Sequence, residues 1–153
     1  MTANHRSLPE KHATLAESFG IPRDQIKVVS SISDLREIAR YLGAKKKHSE
    51  STWAVCIRPE SGDSFLDPQI VIRWPVPDCV HKQTYDRVNG LFPEGSLNYI
   101  DTSKPDWLLA FLLMHEIAHY KLNHPAGGEL CAKEREADEW AHRRLMERYA
   151  DFA

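Results

Sequence analysis

Three cysteines in 153 residues, none of them in a C-x-x-C pair, leave little room for a disulfide framework. Cys56, Cys79 and Cys131 are odd in number and far apart, so a reducing, cytoplasmic compartment is expected. An excess of one charge is also missing: 20 Lys and Arg against 22 Asp and Glu give a formal net charge of −2. That balance offers no global attraction to nucleic acid, and direct binding to it is not expected. The N-terminus is polar with no apolar h-region, so no signal peptide is expected. The apolar run at 107–114 is too short and too soon interrupted to span a bilayer. Internal repeats and low-complexity segments are absent. With 42% hydrophobic and 27% charged residues, the chain is of ordinary globular type and long enough to bury a core. The expected organisation is a tail and short helix over 1–20, then a single domain over 21–153.

Against this plain background one stretch stands out, Met114-His115-Glu116-Ile117-Ala118-His119. On a helix, His115 and His119 are at i and i+4, so both imidazoles leave the same face. Two neutral imidazoles side by side make half of a zinc site, and Glu116 beside them can hold a water on the metal. The run from Trp107 to Tyr120 is apolar on nearly all sides, as in a helix buried in a core. Asp106 is the expected N-cap, with Pro105 keeping the preceding chain out of helix. Burying His115, Glu116 and His119 without partners would cost several kcal/mol, and a metal compensates all three together. The alternative is a core helix whose histidines hydrogen-bond to backbone.

Pro125, Gly127 and Gly128 stop this helix, and a second is expected from about Glu129 to about Tyr149. With Glu134 taken as zero and residues at about 100° intervals, Leu130, Ala137, Ala141, Leu145 and Tyr149 fall within roughly 60° of it. Asp138 falls near 40° and Glu136 near 200°, the latter with Arg143 and Glu147 on the wet side, by the same spacing of about 100°. Two carboxylates, Glu134 and Asp138, therefore sit in an apolar stripe and need cations or donors. If the helices pack as an αα-hairpin, Glu134 comes level with the histidines. His115, His119 and Glu134 then form a three-ligand Zn2+ site with the fourth position open, which is the catalytic kind. Asp138, one turn on, is the natural acceptor for the free N–H of a ligating histidine.

His115-Glu116-x-x-His119 followed by Glu134-x-Glu136-Ala137-Asp138-x-Trp140-Ala141 resembles the ImmA/IrrE metallopeptidases. The E-x-x-A-D part is also similar to HtpX/Ste24-type membrane metallopeptidases and, more distantly, to thermolysin-like gluzincins. The resemblance covers about residues 97–146. It implies that Glu134 is a zinc ligand, that Asp138 supports a ligand, and that the fold is zincin-like. It further implies a protein or peptide substrate, with a helix-turn-helix DNA-binding repressor as the expected target. Members of the family often carry a helix-turn-helix domain ahead of the peptidase, and none is found here. The apolar run's shortness sets the chain apart from the membrane-embedded relatives.

Elsewhere, residues 1–8 read as a disordered tail, and 9–19 as a short helix ending at Gly20. Residues 26–29 read as a strand. Asp34 is expected to cap a helix with Glu37 at its N3 position, ending before Gly43, with Leu35, Ile38, Ala39 and Leu42 on one face. Lys45-Lys46-Lys47-His48 is a solvated loop or a contact for an acidic partner. Residues 53–58 and 69–74 read as strands of an antiparallel hairpin with a long tip. Residues 83–89 are weakly helical, 90–95 a loop, and 97–100 a short strand feeding the zinc helix. The fold class is α+β, with a small, mainly antiparallel sheet packed on the two-helix zinc hairpin.

Zinc makes hydroxide available near neutral pH, and Glu116 is placed to take the water's proton and pass it to the leaving amine. An oxyanion donor is also needed. His142, one turn beyond Asp138 at the stripe's edge, is the candidate, with a surface histidine at a helix boundary as the alternative. Tyr99, Tyr120 and Tyr149 are weaker candidates. A third zinc histidine in the H-E-x-x-H-x-x-G-x-x-H pattern is ruled out by Leu122 and Pro125, which leaves His124 a helix-end residue. The expected function is a zinc-dependent endopeptidase. A non-cleaving, zinc-bound module that docks a regulatory partner as an antirepressor is the alternative, and hydrolysis of a small amide is a third reading.

Overall fold

A computed structural model describes residues 4–44, 48–57, 60–61, 64–65, 68–91, 101–122 and 130–148. The chain divides into two compact units, Met1–Pro75 and Val76–Ala153.

In the first unit, α1 (Glu10–Ser18) leads through a 3₁₀ turn to β1 (Ile26–Val29), α2 (Ile32–Tyr41), β2 (Ala54–Ile57) and β5 (Gln69–Arg73). Two short strands, β3 (Glu60–Ser61) and β4 (Ser64–Phe65), pair with each other at the tip of the β2–β5 hairpin. The main sheet has the order β1-β5-β2. β5 pairs antiparallel with β2 but parallel with β1, so the sheet is mixed rather than mainly antiparallel. The reason is connectivity. The link from β2 to β5 is a hairpin, whereas β1 and β5 run the same way and need the long crossover through α2 and β2. Val29, Val55, Ile57 and Val71 share one sheet face and pack against Leu35, Ile38 and Ala39 of α2. The other face carries Ile26, Val28, Ile70 and Ile72, all buried. Buried on both sides, the central strand reads as the continuous apolar run Ile70-Val71-Ile72.

Both helices of this unit end in the same way. Gly20 (φ 82°) and Gly43 (φ 93°) take the left-handed conformation just past the last turn. The following amides, of Ile21 and Ala44, bond back to the carbonyls of Ala16 and Ala39. At its start α2 is capped by Ser31, whose hydroxyl accepts from the Asp34 amide at 3.1 Å. Asp34 therefore lies inside the first turn, where its charge suits the helix dipole, and is not the cap. Residues 4–8 are also held more firmly than a disordered tail. Arg6 exchanges backbone bonds of 2.8 and 2.9 Å with Val28. Its guanidinium donates to Ser30 Oγ and to the Trp74 carbonyl, and Leu8 is buried.

The second unit holds α3 (Asp78–Leu91), α4 (Pro105–Lys121) and α5 (Leu130–Glu147). α3 starts five residues before the expected helical stretch and includes Gly90. Its buried side is Val80, Thr84 and Val88, four residues apart; the threonine in the middle weakens the apolar pattern. The expected strand at 97–100 and the turn at 123–128 lie outside the described residues. α4 begins at Pro105 itself, with Lys104 as N-cap. Proline suits N1 because its missing N–H would have no partner there, so Asp106 lies in the first turn rather than at the cap. From Trp107 to Ala118 every residue of α4 is buried. α4 and α5 pack together, and Ala137, Ala141 and Leu145 of α5 are fully buried while Glu136, Arg143 and Glu147 are exposed. No helix among the described residues is long and apolar enough to cross a membrane.

Candidate metal centre

The buried stripe of α5 carries two acids, and the α4 face it meets carries two histidines. Their pairing shows that the helices run antiparallel: His119 and His115 both reach Glu134, and His115, one turn earlier, also reaches Asp138. His115 Nε2 lies 2.7 Å from Glu134 Oε2 and 3.2 Å from His119 Nε2. His119 Nε2 is 3.2 Å from Glu134 Oε1. The two rings meet edge to face with centroids 4.8 Å apart, and Phe111, one turn back on α4, has its ring centroid 6.3 Å from that of His115. His115 Nδ1, the far side of the ring, lies 2.8 Å from Asp138 Oδ1. The other oxygen of Asp138 accepts from Arg87 Nε of α3 at 2.9 Å.

The site has an inner and an outer end. Asp138 is 3% exposed, whereas the Glu134 side chain is 44% exposed, so solvent reaches the Nε2 side of the histidines. Glu116 is buried, and its charge is close enough to act on the His115 ring. Burial disfavours an imidazolium at His115. The hydrogen bonds to Asp138 and Glu134, with the charge of Glu116, outweigh that and hold its pKa up to about 10. Burial also works against ionising Glu134, yet its bonds to His115 and His119 hold the carboxyl well below the usual range. The donor set thus concentrates negative charge around one point and favours a cation there.

The residues fit a metal ion. One donor atom from each of His115, His119 and Glu134 lies within 4.8 Å of the other two. Bonds of about 2.0–2.1 Å in a tetrahedron separate neighbouring donors by about 3.3 Å. The two imidazole nitrogens, 3.2 Å apart, already match, and the Glu134 carboxylate lies against both, with Oε1 3.2 Å from His119 Nε2 and Oε2 2.7 Å from His115 Nε2. Two imidazole nitrogens and one carboxylate suit zinc among the common divalent ions. Asp138 on Nδ1 keeps that nitrogen the N–H donor, so the proton that a metal would displace is the one on Nε2, facing the cluster.

His142, the candidate oxyanion donor, is only 6% exposed, so it is not a surface histidine at a helix boundary. Burial pushes its pKa down to about 4, and the ring is neutral at neutral pH. Tyr120 is exposed; Tyr99 and Tyr149 lie outside the described residues. Arg87 escaped sequence reasoning. A signal was present, since at about 100° per residue Arg87 lies some 20° from Val80, at the edge of the buried side of α3. Compared with known protein families, curated proteins and solved structures, the chain matches none.

Proposed function

We propose that this protein is a zinc-dependent peptidase with a zincin-like fold, of the ImmA/IrrE type that its two helical motifs resemble. The observation that carries the reading is the convergence of His115, His119 and Glu134 on one point open to solvent, with Asp138 behind His115. His115, His119 and Glu134 hold the metal. Zinc, when bound, lowers the pKa of a water to about 7 and polarises a carbonyl. Glu116 accepts the proton of the attacking water at its carboxylate and delivers it to the departing amine nitrogen. Asp138 keeps the His115 ring in the required tautomer. His142 is assigned as the donor that meets the developing oxyanion.

The substrate is a peptide segment of a protein, and the family resemblance points to a helix-turn-helix repressor as the target. Cys56 and Cys79 carry thiols rather than a disulfide, which suits a reducing, cytoplasmic setting. Docking of a regulatory partner without cleavage has less support, because a glutamate beside the zinc histidines serves proton transfer and not binding. Purified protein is incubated with candidate repressors, with and without chelator, beside a Glu116→Gln variant. Chelator-sensitive cleavage is expected, with a loss of about 10²–10⁴-fold in the variant while its zinc content is unchanged. Normal cleavage by Glu116→Gln refutes the mechanism, and tight binding without cleavage replaces the peptidase with a docking module.

A further inference from the structure

We propose that Arg87 is a positioning residue of the metal site, acting through Asp138 to fix the orientation of the His115 ring. The inference rests on the metal-site reading above and extends it to α3, a helix that supplies no ligand. Asp138 is buried, and its two oxygens are divided between two partners. Oδ1 faces His115 Nδ1 at 2.8 Å and Oδ2 takes the Arg87 Nε–H at 2.9 Å. A carboxylate held at one oxygen still turns about its last torsion, which is broad. Held at both, it presents a fixed acceptor to the imidazole. Groups that orient a metal-bound histidine matter nearly as much as the ligands themselves.

A half-exposed arginine would ordinarily count as a surface ion pair worth little. Here its partner is 3% exposed and is already bonded to a metal ligand, so the contact reaches the site through the buried end. Geometry matters as well as charge. The contact uses Nε, which sits within the planar fork, and a lysine ammonium has no counterpart to it.

The test is Zn2+ affinity, measured by competition with a chromophoric chelator, in a double-mutant cycle of Arg87→Ala and Asp138→Asn. Arg87→Ala is expected to weaken binding by about tenfold, the lower end of the range for groups that support a ligand. Arg87→Lys recovers part of this. In the Asp138→Asn background, removing Arg87 is expected to cost no affinity, since the carboxylate that it holds is gone. A merely structural role lowers the melting temperature of the metal-free protein and leaves affinity untouched, which overturns the proposal. Equal losses in both backgrounds overturn it too. Arg87→Gln, which keeps most of the stem, takes the place of the alanine variant if that fails to fold. A wild-type protein that binds no Zn2+ overturns both this inference and the metal-site reading. One that binds Zn2+ and cleaves nothing sinks only the peptidase reading, and the affinity comparison still decides the role of Arg87.

Discussion

Asp138→Asn preserves shape at the inner end of the site and removes one charge. The native carboxylate serves two donors, His115 Nδ1 at 2.8 Å and Arg87 Nε at 2.9 Å. Asparagine has one acceptor oxygen to offer them. With that oxygen toward His115, its NH2 group confronts the Arg87 N–H, donor against donor. Turned the other way, the NH2 group drives His115 into the tautomer with its proton on Nε2, the nitrogen that the proposed metal site needs unprotonated. Either arrangement loses a buried, charge-assisted hydrogen bond, about 1.5–3 kcal/mol. Expressed at the metal, that is a loss in Zn2+ affinity of roughly 10- to 100-fold. Chelator competition near neutral pH measures it, with urea unfolding of the metal-free variant to show that it folds. Affinity within about threefold of wild type, in a folded variant, would refute the claim that Asp138 orients His115.

In the metal-free protein, His115 is held up to about 10 against an ordinary 6.5, so between those values the folded state keeps a proton that the unfolded state releases. This stabilisation is whole below 6.5 and disappears as pH rises through about 10. The urea midpoint should fall across that window in wild type and less in His115→Gln; equal slopes count against the ion-paired cluster. His142 works in the other direction: its pKa drops from 6.5 to about 4, so the unfolded chain takes up the proton first. Its contribution is whole above 6.5 and is lost as pH falls through about 4, and His142→Leu should flatten that acid limb of the stability curve. Ala141, fully buried on the same stripe as Glu134 and Asp138, leaves no room for a larger side chain. Ala141→Leu should cost about 1–3 kcal/mol by thermal melting, and an unchanged melting temperature would show a looser seam.

The two-helix site was legible because both of its signals are local. Twelve consecutive buried residues on α4 and the stripe of α5 follow from spacing alone. Polar residues stranded inside those patterns then mark the cluster. Three other features were harder for physical reasons. The parallel pairing of β1 with β5 joins segments more than forty residues apart, and nothing local encodes which strand sits beside which. For the start of α2, Ser31-x-x-Asp34 and Asp34-x-x-Glu37 both fit a capping pattern, and only the backbone shows that Ser31 is the cap. Arg87 was hard to pick out as a site residue because its only signal is a place at the edge of a weak apolar pattern, and its partner lies on another helix.

The two backbone bonds between Arg6 and Val28 have a consequence beyond local order. β1 is an outer strand of its sheet, and such a strand carries donors and acceptors along its rim that invite pairing with another molecule. The leading segment occupies part of that rim with its own chain. A truncated protein beginning at Pro9 would bare the rim and is expected to self-associate through it.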